Sequence, residues 1–175
     1  LEKIAPDWDV SNESFPYMTW QSGEVAGVKA RIFRISFTGE LSFEINVQAN
    51  YGSYVWETIM EAGREFDITP YGTETMHILR AEKGFIIAGQ DTDGSVTPQD
   101  MDMNWIVGKK KAFSYIGKRS WEREDTSRAD RKQFVGLRCK DSQAIIPEEA
   151  QAVLDPKEPV PMTMIGHVTS SYYRE

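Results

Sequence analysis

The sequence has one cysteine, Cys139, and two histidines, His77 and His167, among its 175 residues. A single cysteine excludes a disulfide within the chain and any all-cysteine metal site. Two histidines far apart in the sequence are too few for most catalytic zinc sites, and neither lies in an HExxH pattern. We therefore expect no metal centre, and the scarcity of cysteine makes the cytoplasm the expected location.

The chain also has few basic residues and no long apolar run. Twenty Lys and Arg stand against 27 Asp and Glu, which gives a formal net charge of -7 and a pI near 5.0. A protein that binds nucleic acid through a broad basic face needs the opposite sign. No run approaches the ~20 apolar residues of a spanning helix, and the first residues lack the order of a signal peptide. We therefore expect neither nucleic acid nor a membrane as a partner.

Hydrophobic residues make up 40% of the chain, enough for a buried core, and their spacing predicts a β-hairpin early in the sequence. An apolar run within Glu24 to Phe37 is followed by the short turn Thr38-Gly39-Glu40 and then by a second, alternating run. Period-2 geometry puts the apolar members of that second run on one face and its polar members on the other. The apolar set is Leu41, Phe43, Ile45 and Val47, and the polar set is Ser42, Glu44 and Asn46.

Two helices and a short strand are predicted after the hairpin. Apolar residues recur at helical spacing from Tyr51 to Gly63, where the glycine is placed as a stop. Good helix formers run from Thr73, a possible N-cap, to Lys83, with Gly84 beyond the end. Residues 85–88 read as a short buried strand, so the order of elements favours an α+β fold.

The remainder of the chain reads as loops and short strands. Residues 89–98 are a polar loop, 102–108 a short amphipathic element, and the highly charged stretch 117–131 a domain boundary. Beyond it, the segments 133–138, 151–154 and 164–170 are predicted to be strands, separated by loops that contain proline.

Several residue groups could carry chemistry, and each has a simpler structural interpretation. The acidic loop from Asp91 to Asp102 departs from an EF-hand in the position of its glycine and in its last ligand. His77 precedes Arg80 by three residues, which would suit proton transfer, but a satisfied structural histidine is commoner. Because Cys139 lies in a predicted strand, a small, buried structural side chain is favoured over a catalytic nucleophile. For the three lysines at 109–111, a solvent-exposed surface is favoured over a patch that binds an anion.

Glu44 is the strongest single candidate that the periodicity provides. On the polar face of a hairpin, its carboxylate could accept two hydrogen bonds from a planar heterocycle. An ordinary exposed strand glutamate fits the same pattern, so the residues alone leave both interpretations open.

A set of motifs in fixed order resembles a known family. The motifs are Ser36-Phe37-Thr38-Gly39-Glu40-Leu41-Ser42-Phe43-Glu44, Ile68-Thr69-Pro70-Tyr71-Gly72, Leu79-Arg80-Ala81-Glu82-Lys83-Gly84, Gly89-Gln90-Asp91-Thr92-Asp93 and Gly166-His167-Val168-Thr169-Ser170-Ser171. Together they resemble the tetrahydrofolate-binding region of the glycine cleavage T-protein (aminomethyltransferase) family, in particular the branch found in alpha subunits of heterotetrameric sarcosine oxidases. The resemblance implies an α+β fold, with part of a T-protein-like folate-binding domain over residues 1–125. The first strands of a C-terminal β-barrel domain would follow over 126–175.

The resemblance also implies a folate site. In the family, an aromatic residue and a glutamate seven positions apart hold the pterin, and these positions match Phe37 and Glu44. The family often has tyrosine where this chain has Phe37, so Phe37 could still stack on the pterin but could not form the hydrogen bond of a tyrosine hydroxyl. Arg80, Glu82 and Gly84 match the family's Leu-Arg-x-Glu-x-Gly helix end, for which an ion-pair and C-cap role is favoured over folate contact. Arg80 is thus a third, weaker folate-binding candidate.

The resemblance to the oxidase branch implies a reaction and further cofactors. Sarcosine would be oxidatively demethylated to glycine, with the one-carbon unit passed to tetrahydrofolate to give 5,10-methylenetetrahydrofolate and hydrogen peroxide. FAD, FMN and NAD are expected elsewhere in the complete enzyme, together with the other subunits of the heterotetramer. The family's catalytic aspartate is expected upstream of this chain, so the catalytic residue is unknown and the segment alone is expected to be inactive.

Other functions stay open beside this one. Met76 stands where T-proteins of glycine cleavage usually have another arginine, which favours the oxidase branch. The enzymatic alternatives are an aminomethyltransferase and the folate module of a dimethylglycine or sarcosine dehydrogenase. The non-enzymatic alternative is an assembly or regulatory domain that has lost folate.

Overall fold

The computed structural model describes residues 1–173 and has a mixed α and β fold with two small sheets. The chain divides into two compact units, one formed by Leu1–Phe85 and the other from Ile86 onward. The expected family domains, 1–125 and 126–175, stay a prediction. Within the described residues, no helix has the length and apolar character needed to cross a membrane.

The first unit is built on a three-stranded antiparallel sheet in the order β1-β2-β3. Its strands are β1 (Trp20–Val25), β2 (Val28–Phe33) and β3 (Glu44–Val47). Ala26 and Gly27 join β1 to β2 with φ angles of 52° and 73°, the positive values that a two-residue type I′ hairpin turn requires. Strand β1 was not anticipated from the sequence.

The antiparallel pairing of β2 with β3 is confirmed, but the tight turn predicted at 38–40 is wrong. Residues 34–43 form a longer loop between the strands. Arg34 explains the early departure, because its buried guanidinium donates to the carbonyls of Ser11 and Phe15 and to the Asn12 side chain. Those side-chain bonds, together with backbone bonds of Arg34 to Met18 and Thr19, tie the start of the loop to the N-terminal segment, on the side away from β3.

The core of the first unit lies between the inner face of the sheet, the N-terminal segment and a helix. The helix α1 (Gly52–Gly63) follows a 3-10 turn at Ala49–Tyr51 and contributes Val55 to the core. Phe15, Val25 and Ile32 are fully buried there, and burial of one such side chain stabilises the fold by about 1.5–3 kcal/mol. The other buried members are Ala5, Val28 and Ala30.

The second helix, α2 (Thr73–Glu82), follows a 3-10 turn at Arg64–Phe66 and lies within one residue of its predicted bounds. The predicted N-cap is wrong, because Gly72 occupies that position and no side chain caps the helix. At the other end Gly84 has a φ of 76°, as the predicted stop requires.

The second unit has little regular structure among the described residues. It contains a 3-10 turn (Asn104–Ile106), the short helices α3 (Lys118–Trp121) and α4 (Glu124–Ser127), and the antiparallel pair β4 (Gln151–Val153) and β5 (Met164–His167). The strands predicted at 85–88 and 133–138 are wrong, since both segments are irregular. In the second of them, Val135 and Leu137 are largely exposed, so alternation there reflects no buried face. A C-terminal barrel stays a prediction.

Candidate functional site

The loop of residues 34–43 packs along α2 and thereby positions Phe37. The Phe37 and His77 rings lie 6.1 Å apart between centroids, tilted by 30°. Six residues further along the chain, directly after the end of the helix, Lys83 Nζ lies 2.8 Å from Glu40 Oε1. Gly39, with a φ of 78°, leaves room for the Lys83 side chain. Phe37 stays 43% exposed, so part of its ring is open to a ligand.

Glu44 begins β3 on the exposed face of the sheet, as its periodicity predicted. Its Oε1 accepts a hydrogen bond of 3.0 Å from Asn46 Nδ2, two residues along the same face. Asn46 thus holds the carboxylate in place, while Ile45 and Val47 pack inward against the core. Leu41, predicted to share that apolar face, is 71% exposed because it lies in the loop before the strand.

Arg80 is buried, with 1% of its surface exposed, at the C-terminal end of α2. Its Nη1 donates to the Phe85 carbonyl at 3.1 Å, and the Phe85 N–H donates back to the Arg80 carbonyl at 2.9 Å. The Gly84 N–H donates to Ala81 O, which completes the paired bonds of a Schellman motif. These contacts support the C-cap role for Arg80.

The three folate candidates therefore have different surroundings. Phe37 packs on His77, which precedes Arg80 by one helical turn, whereas Glu44 is held by Asn46 on the sheet. Their joint role in binding folate stays a prediction.

Sequence reasoning missed the aromatic neighbours of Glu44. Phe33 lies directly opposite Glu44 in the register, and Trp20 lies opposite Phe33. The Ala26-Gly27 pair, flanked by apolar residues, is a possible two-residue hairpin turn, and it was the signal that could have predicted β1 and the cross-strand neighbours Trp20, Phe33 and Glu44.

In the second unit, a buried carboxylate joins two of the sequence motifs. Asp91 Oδ1 accepts hydrogen bonds of 2.6 Å from both Thr169 Oγ1 and Ser170 Oγ, and its Oδ2 accepts from the Ile87 N–H at 2.8 Å. Gln90 Nε2 also donates to Ser170 Oγ. The carboxylate is thus occupied by protein donors, and no cluster of potential metal ligands occurs within residues 1–173.

A second buried carboxylate, Asp100, forms a bidentate pair with Arg131. Arg131 Nε donates to Oδ1 at 2.8 Å and Nη2 donates to Oδ2 at 2.7 Å. Thr97 adds its N–H and its hydroxyl to Oδ2. The Arg131 bonds, more than the Thr97 bonds, hold the pKa of Asp100 below its ordinary value.

The remaining candidates have structural or surface surroundings. Cys139 is exposed, so its expected burial is wrong, since the predicted strand around it does not form. Lys109 lies over the Trp121 ring and Lys111 over Tyr115, at 4.6 and 5.1 Å from the ring centroids, on an exposed surface.

Comparison with known proteins gives the family. Residues 1–111 match the family described as GCVT N-terminal domain. The chain is 55% identical over 154 residues to the sarcosine oxidase subunit alpha of Corynebacterium sp. strain U-96, covering 87% of this chain and 16% of that protein. It is 51% identical over 175 residues to that of Corynebacterium sp. strain P-1, covering 98% and 18% respectively.

Aminomethyltransferases are more distant relatives. That of Halothermothrix orenii is 32% identical over 140 residues, which cover 80% of this chain and 38% of the relative. The chain spans less than a fifth of the length of the two Corynebacterium subunits. Since the family match covers more than half of the sequence, the chain belongs to the GCVT N-terminal domain family.

Proposed function

We propose that this chain forms a tetrahydrofolate-binding part of a sarcosine oxidase alpha subunit. The observation that carries the proposal is Glu44, an exposed carboxylate held by Asn46 on the open face of a sheet. A pterin ring presents adjacent N–H and amino donors along one edge, and a fixed carboxylate accepts such a pair in the plane of the ring. Relatives named sarcosine oxidase subunit alpha support the enzyme, and relatives named aminomethyltransferase support a one-carbon carrier.

The residues present suit the proposed ligand. Within the described residues, Asn46 is the side-chain donor found on Glu44, and it bonds to Oε1 alone, which leaves Oε2 for a ligand. The Phe37 ring is partly exposed to a ligand, and the His77 ring packs against it. In this assignment Phe37 stacks on the folate and Glu44 orients its pterin edge.

Arg80 acts differently in this proposal. Its buried guanidinium fixes the end of α2, and α2 carries His77, against which Phe37 packs. Arg80 therefore positions the aromatic side of the site through the helix and contacts no folate.

Tetrahydrofolate, when bound, accepts the one-carbon unit that is released when molecular oxygen, the electron acceptor of the proposed enzyme, oxidises sarcosine; the products are glycine, 5,10-methylenetetrahydrofolate and hydrogen peroxide, to which the oxygen is reduced. The contribution of this chain is to bind and orient the acceptor, which raises the effective concentration of its reactive nitrogens. FAD, FMN and NAD, the catalytic aspartate and the other subunits of a heterotetramer belong to other parts of the proposed enzyme, which acts in the cytoplasm.

The test is calorimetric titration of the 175-residue chain with 5-formyltetrahydrofolate, a stable reduced folate. We expect saturable binding, and in Glu44→Gln a loss of affinity of about ten- to a hundredfold, because charged hydrogen bonds contribute about 1.5–3 kcal/mol. Glu57→Gln is the matched control, since Glu57 is an exposed carboxylate on α1, and it should bind like the wild type. Absence of saturable binding, or equal affinity in Glu44→Gln, would overturn the proposal.

A further inference from the structure

The loop of residues 34–43 is attached to the core at its two ends. At its start, the Arg34 guanidinium donates to the Phe15 carbonyl at 2.6 Å. At its end, the Phe43 ring packs against the Phe15 ring, with 5.9 Å between the ring centroids. Phe37 lies between these two attachments, so the core contacts alone do not determine where its ring is placed.

The middle of this loop has no backbone restraint. Within the described residues, no backbone hydrogen bond joins residues 35–43 to another segment. Ser36 Oγ is buried without a hydrogen-bond partner within residues 1–173, an arrangement that costs free energy. Thr38 is also buried, so the loop lies against the protein here. Its conformation therefore depends on contacts made by side chains.

Glu40 and Lys83 form the charged contact of this kind. Lys83 directly follows the last residue of α2, and its Nζ lies 2.8 Å from Glu40 Oε1. The backbone of the loop also rests on the Lys83 stem, because a Cβ added at Gly39 would lie 2.7 Å from Lys83 Cγ. We call the Glu40–Lys83 ion pair, together with the contact of Gly39 on the Lys83 stem, the clasp.

The clasp lies between the two residues that the proposed function assigns to the ligand. Glu40 follows Phe37 by three residues and precedes Glu44 by four. A ligand that stacks on the ring and bonds to the carboxylate needs both groups at one separation, and holding them there before binding lowers the cost of binding. Resting on the proposed function, we propose that Glu40 and Lys83 are positioning residues, whose ion pair holds the loop on α2 and so places Phe37 relative to Glu44 for folate.

The first test breaks the ion pair from either side. Lys83→Met keeps the stem on which Gly39 rests and removes the charge, and Glu40→Gln keeps the size of the side chain. The two side chains are 44% and 63% exposed, so each change should weaken binding of 5-formyltetrahydrofolate only about threefold in calorimetric titration. Glu61→Gln is the matched control, because it removes an exposed ion pair with Arg64 on α1, and it should bind like the wild type.

The second test separates positioning from direct contact with the ligand. The exchanged pair Glu40→Lys with Lys83→Glu restores the attraction in reverse and should recover most of the affinity. Phe37→Ala should lose about tenfold, the usual size of a stacking contribution. Adding Glu40→Gln to Phe37→Ala should cause no further loss, because the ring that the clasp positions is gone.

The outcomes separate this inference from the proposed function. If Glu44→Gln weakens folate binding while Glu40→Gln and Lys83→Met do not, the proposed function stands and the inference is wrong. The inference is also wrong if the exchanged pair binds no better than the single variants, or if Glu40→Gln costs the same affinity with and without the Phe37 ring. If the wild type binds no folate, both fail.

Discussion

The pair formed by Asp100 and Arg131 should dominate the stability of the second unit. In Arg131→Met the side chain keeps the length of the arginine stem but loses the guanidinium group and with it every donor, including those to the Ser95 and Asp125 carbonyls. Asp100 would keep its Thr97 donors but lose its counter-charge. We therefore expect a large loss of free energy of unfolding.

The structure allows the size of this loss to be worked out. The side chains of Arg131 and Asp100 are only 11% and 6% exposed, so solvent screens their attraction little. Removal of one partner of a buried pair costs about 3–5 kcal/mol, because the other charge stays buried without compensation. Small domains have total stabilities of about 5–15 kcal/mol, so the variant should be close to unfolding in this unit.

Urea denaturation followed by circular dichroism, with hydrogen exchange at the Thr97 and Phe134 amides, measures the effect. The Phe134 N–H donates to the Asp100 carbonyl, so its exchange reports opening of the same junction. Arg128→Met is the control, because the Arg128 side chain is 53% exposed and its ion pairs are long, which predicts a change below about 1 kcal/mol. A loss in Arg131→Met no larger than in Arg128→Met would refute the reasoning.

Two further predictions concern acid stability and the loop before β3. The pKa of Asp100 is lower in the folded chain than its ordinary value of 3.8, so ionised Asp100 stabilises the fold above pH 3.8. That stabilisation disappears as the pH falls through the folded-state pKa. The difference in free energy of unfolding between the wild type and Asp100→Asn, measured by urea titration, should therefore shrink below pH 3.8. Gly39→Ala should cost roughly 1–3 kcal/mol in thermal unfolding, because φ is 78° and the new Cβ would lie 2.7 Å from Lys83 Cγ. Gly136→Ala, in an irregular segment with no atom near its Cβ and no positive φ, should change stability far less; equal losses would contradict the steric argument.

The helices α1 and α2 were predictable because apolar spacing and terminal glycines are features of the local sequence. Gly84 ends α2 through a positive φ that glycine adopts easily, and α1 ends at Gly63 as predicted, although the φ of Gly63 is an ordinary -86°. The helical spacing of apolar residues predicted α1, whose Val55 is buried. The outward direction of Glu44 also follows from alternation within one strand, which needs no knowledge of the partner strand.

Buried charged residues are the part that sequence reasoning could not locate. Charged side chains are almost always exposed, so composition assigns Arg34, Asp91, Asp100 and Arg131 to the surface. Their burial depends on carbonyls and hydroxyls that distant segments supply. Only the folded chain brings those partners within hydrogen-bonding distance.

Like the fold, the candidate site was predictable only where the local sequence pattern determines the structure. The position of Glu44 came from periodicity, whereas its neighbour Phe33 depends on a register that the chain sets after the loop of residues 34–43. The length of that loop reflects the carbonyl bonds of Arg34 and the packing of the loop on α2. Such long-range contacts leave no periodic trace in the sequence.

The bonds of Asp91 to Thr169 and Ser170 also bear on the order in which the chain folds. They close a loop of 78 residues, for which the entropy of closure is about 4 kcal/mol. The β1–β2 hairpin closes through two residues and can form within roughly 10 μs. The Asp91 junction should therefore form late, and until it does, the segment between its two ends is open to proteolysis while the hairpin is already protected.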